Sequence, residues 1–383
     1  MSNSERQYQI TKRFYEVYHR EPSVWVQAPG RVDLMGSHTD YNQGYVLTMT
    51  IDRSTWIAAV PRSDRKVSIC SMNAEGILEF DLDDLRRDAA VPWTNYIKGV
   101  ASILQQEGYE VRGFDGLIHS TLPFSSGLSS SAALEVATAI LFKTLAGWDM
   151  EPVQMAILCQ RAENTFVGVN CGILDQYTSA VGQAGHAVLL DCRFLTSEAI
   201  FIDPSIQIVI CNTQTKRELS GSEYAERRAQ CEDGAARLGV KVLRDVTTVD
   251  QLAHADIPEI VAKRARFIIE ENQRVLTLAK ALSTCDEREI SNLTAASFAG
   301  ARDLYEISIP AMETMMDAML SGPGVIGARQ AGAGFGGCMV AFVHQECVIG
   351  FTQYVQASYA AAMQINPNVY PVFPAPGAGV LKG

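Results

Sequence analysis

The stretch FDGLIHSTLPFSSGLSSSAALEVATAILFKTLAG, residues 114–147, changes its periodicity halfway along. Residues 114–123 read as a strand, and the Ala/Leu-rich run after Ser129 reads as a long helix ending at Gly147. Between them lie Gly127 and a dense set of serines. A strand that feeds a helix through a Gly/Ser loop gathers free backbone N–H groups and a positive helix end around one point. That is an anion site, and phosphate is its usual occupant. An ordinary helix cap starts in the same way, but the hydroxyls from Ser125 to Ser131 exceed what one cap needs. The chain has no Gly-Lys dipeptide and therefore no Walker A loop, and it lacks the HRD and DFG triplets of protein kinases.

A second glycine-punctuated stretch, GRVDLMGSHTDYNQG, occupies residues 30–44. Its glycines let the backbone turn and pass close to a ligand, and Arg31, Asp33, His38 and Asp40 are interleaved with them. A polar surface turn has this composition too. A third stretch, RQAGAGFGGCMVAFV (329–343), has the same character.

The rest of the chain sets limits on these loops. Its 383 residues suffice for two or three domains, and 47% hydrophobic with 20% charged residues is a globular composition. A net charge of −11 argues against a nucleic-acid or anionic-membrane surface, so any polyanion is held by locally arranged donors. Nine scattered cysteines without a CxxC pair predict reduced thiols in a cytoplasmic protein. The charged first twenty residues predict no signal peptide. The uncharged run from Val348 to Leu381 contains four prolines and predicts no membrane span.

Strands are predicted in SVWVQAPGRV, YVLTMTIDRSTWIAAVPR, KVSICSM and IQIVICNT. Helices are predicted in WTNYIKGVASILQQEG, EPVQMAILCQRAENTFVG, SEYAERRAQCEDGAARLG and EIVAKRARFIIEENQRVLTLAKAL. VNCGILDQYTSAVGQAGHAVLLDC (169–192) reads as a glycine-punctuated loop. Irregularly mixed elements predict an α+β protein of two lobes, residues 1–200 and 201–383.

A phosphate site that works on ATP needs a metal ligand and a group to handle the acceptor hydroxyl. Ser131 offers a hydroxyl at the helix start, and Glu163 offers a carboxylate from a different helix, although a solvated helix charge reads the same way. Asp175, in the apolar CGILDQY, is costly without a partner. Arg31 is a candidate to keep it ionised and oriented, and a purely structural Asp–Arg pair is the alternative.

The chain resembles the GHMP small-molecule kinases, and within them the galactokinases. GRVDLMGSHTDYNQGYVL, PFSSGLSSSAALEVA and RQAGAGFGGCMVAFV occur in family order, and WTNYIKGV, CGILDQYTSAVGQAGHAVLLDC and SEYAERRAQCEDGAARLGV are also similar, from about Ala28 to the C-terminal GAGVL. The resemblance implies a ribosomal-S5-like N-terminal lobe and a ferredoxin-like C-terminal lobe with the active site in the cleft. It implies an ATP-dependent sugar 1-kinase acting on the C1 hydroxyl of galactose or a galactose-like sugar. L-arabinose or galacturonate kinases are alternatives, and a non-catalytic sugar sensor that binds both ligands is a further one. On this resemblance Asp175 and Arg31 are the catalytic pair, and Ser131 and Glu163 bind Mg²⁺. Ser125, Gly127, Leu128, Ser129, Ser130 and Ser131 hold the ATP phosphates. Trp93 and Tyr96 lie near the nucleotide, and Gly334 keeps the third loop close to the substrates. Ser37, His38, Asp40, Gly172 and Tyr224 form the sugar site. Two positions depart from the family: galactokinases read Gly-Glu-His-Thr-Asp-Tyr where this chain has Ser37, and Asp33 replaces an asparagine. The expected partners are the sugar and ATP, with no nucleic acid and no membrane, in a monomer or small homo-oligomer.

Overall fold

The computed structural model describes residues 2–123, 127–215, 220–254 and 256–381. The chain begins α1 (Asn3–Tyr18), β1 (Val24–Met35), β2 (Tyr45–Pro61), β3 (Lys66–Ser71), β4 (Ala74–Asp81), α2 (Thr94–Gln106) and β5 (Phe114–Ser120). It continues with α3 (Ser130–Ala146), α4 (Pro152–Ala162), a π-helical turn (Glu163–Val167), α5 (Leu174–Val181), β6 (His186–Asp191), β7 (Thr196–Phe201) and β8 (Ile206–Asn212). Next come α6 (Ser220–Arg237), α7 (Glu259–Thr284), α8 (Glu287–Asp303), α9 (Pro310–Leu320), β9 (Val325–Gln330) and β10 (Cys338–His344). The last elements are α10 (Val348–Met363), β11 (Asn368–Val372) and β12 (Gly379–Val380).

These elements form two compact units. The first is Met1–Arg31, Thr50–Gly182 and Pro376–Gly383; the second is Val32–Met49 and Gln183–Ala375. The units are interleaved in sequence: β1 leaves the first after Arg31 and β2 re-enters it at Thr50.

In the first unit the strand order is β12-β1-β2-β5-β3-β4. β2 and β5 are antiparallel, with Thr55 opposite Ser120, and β3 runs parallel to β5. The amphipathic α1 buries Ile10 and Phe14, one helical turn apart, against Trp25, Trp56 and Leu117. α3 is apolar on most sides and correspondingly deep: Ala132, Val136, Leu141 and Phe142 are fully buried. It ends where Gly147 adopts φ 78 and returns its N–H to Lys143 O.

In the second unit β6 pairs with Tyr45–Thr48 of β2 and forms a hairpin with β7. A separate antiparallel sheet has the order β11-β8-β10-β9. Alternate residues Val209 and Cys211 of β8, and Met339, Ala341 and Val343 of β10, pack on Phe298, Met315 and Phe351 from the covering helices. The sheets are open, and the class is α+β, as expected.

One sequence reading is corrected. Residues 169–192 are not one loop, because they contain α5 and β6. An eight-residue helix with glycine on both sides, Gly172 and Gly182, is too short for its periodicity to outweigh that punctuation. The uncharged C-terminal run folds as α10 and β11. Among the described residues no helix is long and apolar enough to cross a membrane.

Candidate active site

In the first unit the Gly/Ser loop delivers α3 in an unusual way. Its capping residue Ser129 has φ 59 and makes no side-chain cap, and among the described residues its buried Oγ has no partner. Ser129 therefore leaves the N–H groups in the first turn of α3 without a cap from its own side chain. Gly127, at φ 78, turns its carbonyl onto Arg31 Nη1, which donates to it at 2.6 Å. Arg31 N also donates to Leu128 O at 3.3 Å. Ser125 lies outside the described residues.

The same guanidinium holds Asp175. Nε and Nη2 of Arg31 both donate to Asp175 Oδ1, at 2.9 and 2.5 Å. Asp175 sits in the first turn of α5, where the helix end favours negative charge. Its side chain keeps 28% exposure against 9% for Arg31. Arg31 thus links the Gly/Ser loop to Asp175.

Behind this pair lies a buried acidic group. Glu163 starts the π turn and is 5% exposed; Glu135, one turn beyond Ser131 on α3, is fully buried. Gln176 Nε2 donates to Glu135 Oε2 at 2.9 Å and to Glu163 Oε2 at 2.6 Å. Cys171 Sγ also donates to Glu163 Oε2, at 3.1 Å. Burial, and then the charge of Asp175, raise the Glu163 pKa against the hydrogen bonds from Cys171, Gln176 and Ser131. Burial and the Glu163 charge push Glu135 up further. Trp93, Tyr96, Ser130, Ser131 and Leu134 line one cavity of about 380 Å³. Burial and the neighbouring Glu163 and Glu135 push the Tyr96 phenol up to about 12. Gly172 lies just before α5, between Cys171 and Ile173.

The second unit holds the remaining candidates. His38, at φ 65, engages Tyr41 Oη and Ala333 O, both at 2.9 Å, and Tyr224 packs on its ring at 5.2 Å. Asp40 opens a 3₁₀ turn and is half-buried. Ser37 is 2% exposed, and its hydroxyl accepts from Arg329 Nη2 at 2.9 Å. Arg329 is fully buried and also donates to Glu271 Oε1, Ser297 Oγ and Leu34 O. Burial lowers the Arg329 pKa, and the charges of Glu271 and Asp33 oppose that shift. Gly334 has φ 80, and a Cβ there meets Ile307 O at 2.5 Å. The space beside it belongs to Ile307.

Four residues of these networks escape a reading by motif. Glu271, in FIIEENQRV, looks like a solvated helix charge, and Arg329 is masked by the glycines after it. Gln176 stands beside the more conspicuous Asp175. Glu135 alone carried a signal, a carboxylate inside an Ala/Leu run.

Comparison with known proteins gives the family. Residues 95–183 match the GHMP kinase N-terminal domain, residues 278–359 the GHMP kinase C-terminal domain, and residues 12–61 the galactokinase galactose-binding signature. The chain is 41% identical to a galactokinase of Chloroflexus aggregans over 378 residues, covering 97% of this chain and 96% of that one. It is 40% identical to a galactokinase of Roseiflexus over 377 residues, with the same coverage. The Lactococcus lactis galactokinase structure, a complex with galactose, superposes with a TM-score of 0.92 at 34% identity, covering 98% and 99% of the two chains. With this likeness over nearly its whole length, the chain belongs to the galactokinases of the GHMP kinase family.

Proposed function

We propose that the protein transfers the γ-phosphoryl group of ATP to the C1 hydroxyl of galactose. The observation that carries this reading is the double donation of Arg31 to one oxygen of Asp175 while its third nitrogen holds Gly127 O. It ties the group that meets the acceptor hydroxyl to the loop that meets the phosphates. Phosphoryl transfer asks mainly for such positioning and for charge stabilisation. Asp175 orients the C1 hydroxyl and takes its proton as the phosphorus–oxygen bond forms, and ADP leaves. Arg31 keeps Asp175 aimed. The N–H groups at the start of α3, with Ser129, Ser130 and Ser131, hold the phosphates, and the Trp93–Tyr96 cavity takes the base.

Mg²⁺ fits the donors present. Among the described residues no group of three or more acidic, His or Cys side chains is arranged as a metal cage. Mg²⁺ in kinase sites takes one or two carboxylates and completes its shell with phosphate oxygens and water. Glu163 and the Ser131 hydroxyl, which hydrogen-bonds to it, suit that pattern, and the unfavourable burial of the Glu163 charge is what a bound cation relieves. When bound, the ion neutralises phosphate charge. Ser37, His38, Asp40, Gly172 and Tyr224 form the sugar set in this reading, in a cytoplasmic enzyme.

An ATP-consumption screen over galactose, L-arabinose, galacturonate, N-acetylgalactosamine and glucose tests the proposal. Galactose is expected to give the highest kcat/KM and a 1-phosphate product. ATP consumption with none of the five, or a product phosphorylated at another hydroxyl, rejects it.

A further inference from the structure

The bonds of His38 reveal more than its place in the GSHTDY motif. A carbonyl oxygen only accepts, so the contact to Ala333 O makes Nε2 the protonated nitrogen of the neutral ring. Nδ1 must then accept, and Tyr41 Oη donates to it. Having spent its single hydrogen, Tyr41 Oη accepts from Tyr305 Oη at 2.7 Å. Tyr305 Oη in turn accepts from Cys231 Sγ at 3.1 Å. Every donor in this chain is assigned by one carbonyl. The ring also packs against Tyr305 at 4.9 Å and Tyr224 at 5.2 Å.

Ala333 belongs to a loop that needs such an anchor. Gly332, Gly334, Phe335, Gly336 and Gly337 all have positive φ. Glycines lose the most conformational freedom on ordering, and backbone ties reach the loop from neighbouring segments, such as Phe335 N to Ile307 O and Ala331 N to Cys338 O. At the middle of the loop, Ala333 O is fastened by His38. A sugar hydroxyl that sought either ring nitrogen would have to displace Ala333 O or Tyr41 Oη, leaving a part-buried group unpaired.

We propose that His38 is a positioning residue that holds the loop of residues 331–337 through Ala333 O, as the Nε2–H tautomer, and does not itself hydrogen-bond the sugar. This inference rests on the galactokinase reading for the loop's importance, and not for the tautomer.

The test combines ¹⁵N chemical shifts of histidine-labelled protein with steady-state kinetics. His38 is assigned among the six histidines by its loss in His38→Gln. The expected spectrum has a protonated Nε2 and an unprotonated Nδ1, neither moved by saturating galactose. Tyr41→Phe is expected to shift Nδ1 alone. His38→Leu should raise KM for ATP and for galactose together, by about tenfold each, and His38→Gln, whose amide reaches the Nε2 position, should restore the ATP value to within about twofold. A protonated Nδ1, an Nε2 resonance that moves with galactose, a rise in galactose KM alone, or unchanged KM values in His38→Leu would each overturn the proposal. If His38→Leu fails to fold, the wild-type spectrum still decides. Wild-type protein that phosphorylates no sugar rejects the parent reading instead and leaves the tautomer open to the same measurement.

Discussion

Arg31 and Asp175 meet through a single carboxylate oxygen: Oδ1 accepts from both Nε and Nη2, at 2.9 and 2.5 Å. An aspartate held on one oxygen keeps its aim, and the proposed reaction uses the other oxygen. Asp175→Asn is therefore expected to fold and to bind ATP normally while kcat falls by orders of magnitude. Retention of more than about a tenth of wild-type turnover, a difference under about 1.4 kcal/mol, would remove Asp175 from the catalytic set.

Glu163 is expected to set the metal requirement. Ser131 supplies a neutral oxygen, so the carboxylate carries the charge that attracts the cation. Glu163→Gln should raise the Mg²⁺ concentration giving half-maximal rate by about tenfold or more, with Mn²⁺ as a partial substitute. A superimposable Mg²⁺ titration would count against the role.

A pH dependence follows from Glu271. Burial disfavours its charge, but Arg274, Arg329 and the Ser297 hydroxyl outweigh burial and hold its pKa below 4.5. A carboxylate with a depressed folded pKa stabilises the protein above its unfolded pKa, and that contribution is lost as the pH falls through the folded value. Glu271→Gln should lose about 3–5 kcal/mol at neutral pH, because Arg329 is left buried without its partner. It should also flatten the acid side of the stability profile. Denaturant melts at pH 7 and pH 4 that differ equally in wild type and variant would contradict this.

Gly334→Val tests the third loop. The residue has φ 80, and a Cβ would press on Ile307 O, so the loop must shift. Both KM values should rise together with a lowered Tm. Kinetics that stay normal for ATP and galactose would show the loop to be remote from both.

Ser37→Glu tests whether position 37 reads the sugar's C6. The neutral Ser37 hydroxyl accepts from Arg329, whose charge Glu271 already balances. Ser37→Glu adds a carboxylate at this point. Relative to galactose, it should depress kcat/KM for galacturonate most and for L-arabinose less, by about ten- to a hundredfold, the effect of an unpaired or opposed buried charge. Ratios that do not move would show that position 37 does not read C6.

The sequence by itself determined the Gly/Ser loop between strand and helix, the family, and the principal strands and helices, and it offered Arg31 as a candidate partner for Asp175. These are local matters: glycine spacing, helical and strand periodicity, and the cost of a lone aspartate in an apolar stretch are all written along the chain. The tertiary structure alone decided which side chains are silent neighbours and which are partners. Glu271 and Arg329 are 58 residues apart, and nothing near either marks a fully buried pair. Gln176 becomes a bridge only when α3 and the π turn bring Glu135 and Glu163 to it. The units interleave because β1 and β2 each pass through both, which no single cut in the sequence expresses. His38 shows the difference most plainly, since its motif suggested a ligand for the sugar. The fold hands its Nε2 hydrogen to a carbonyl 295 residues away and its Nδ1 to Tyr41. Hydrogen-bond capacity is a property of the residue, but who uses it is a property of the packing.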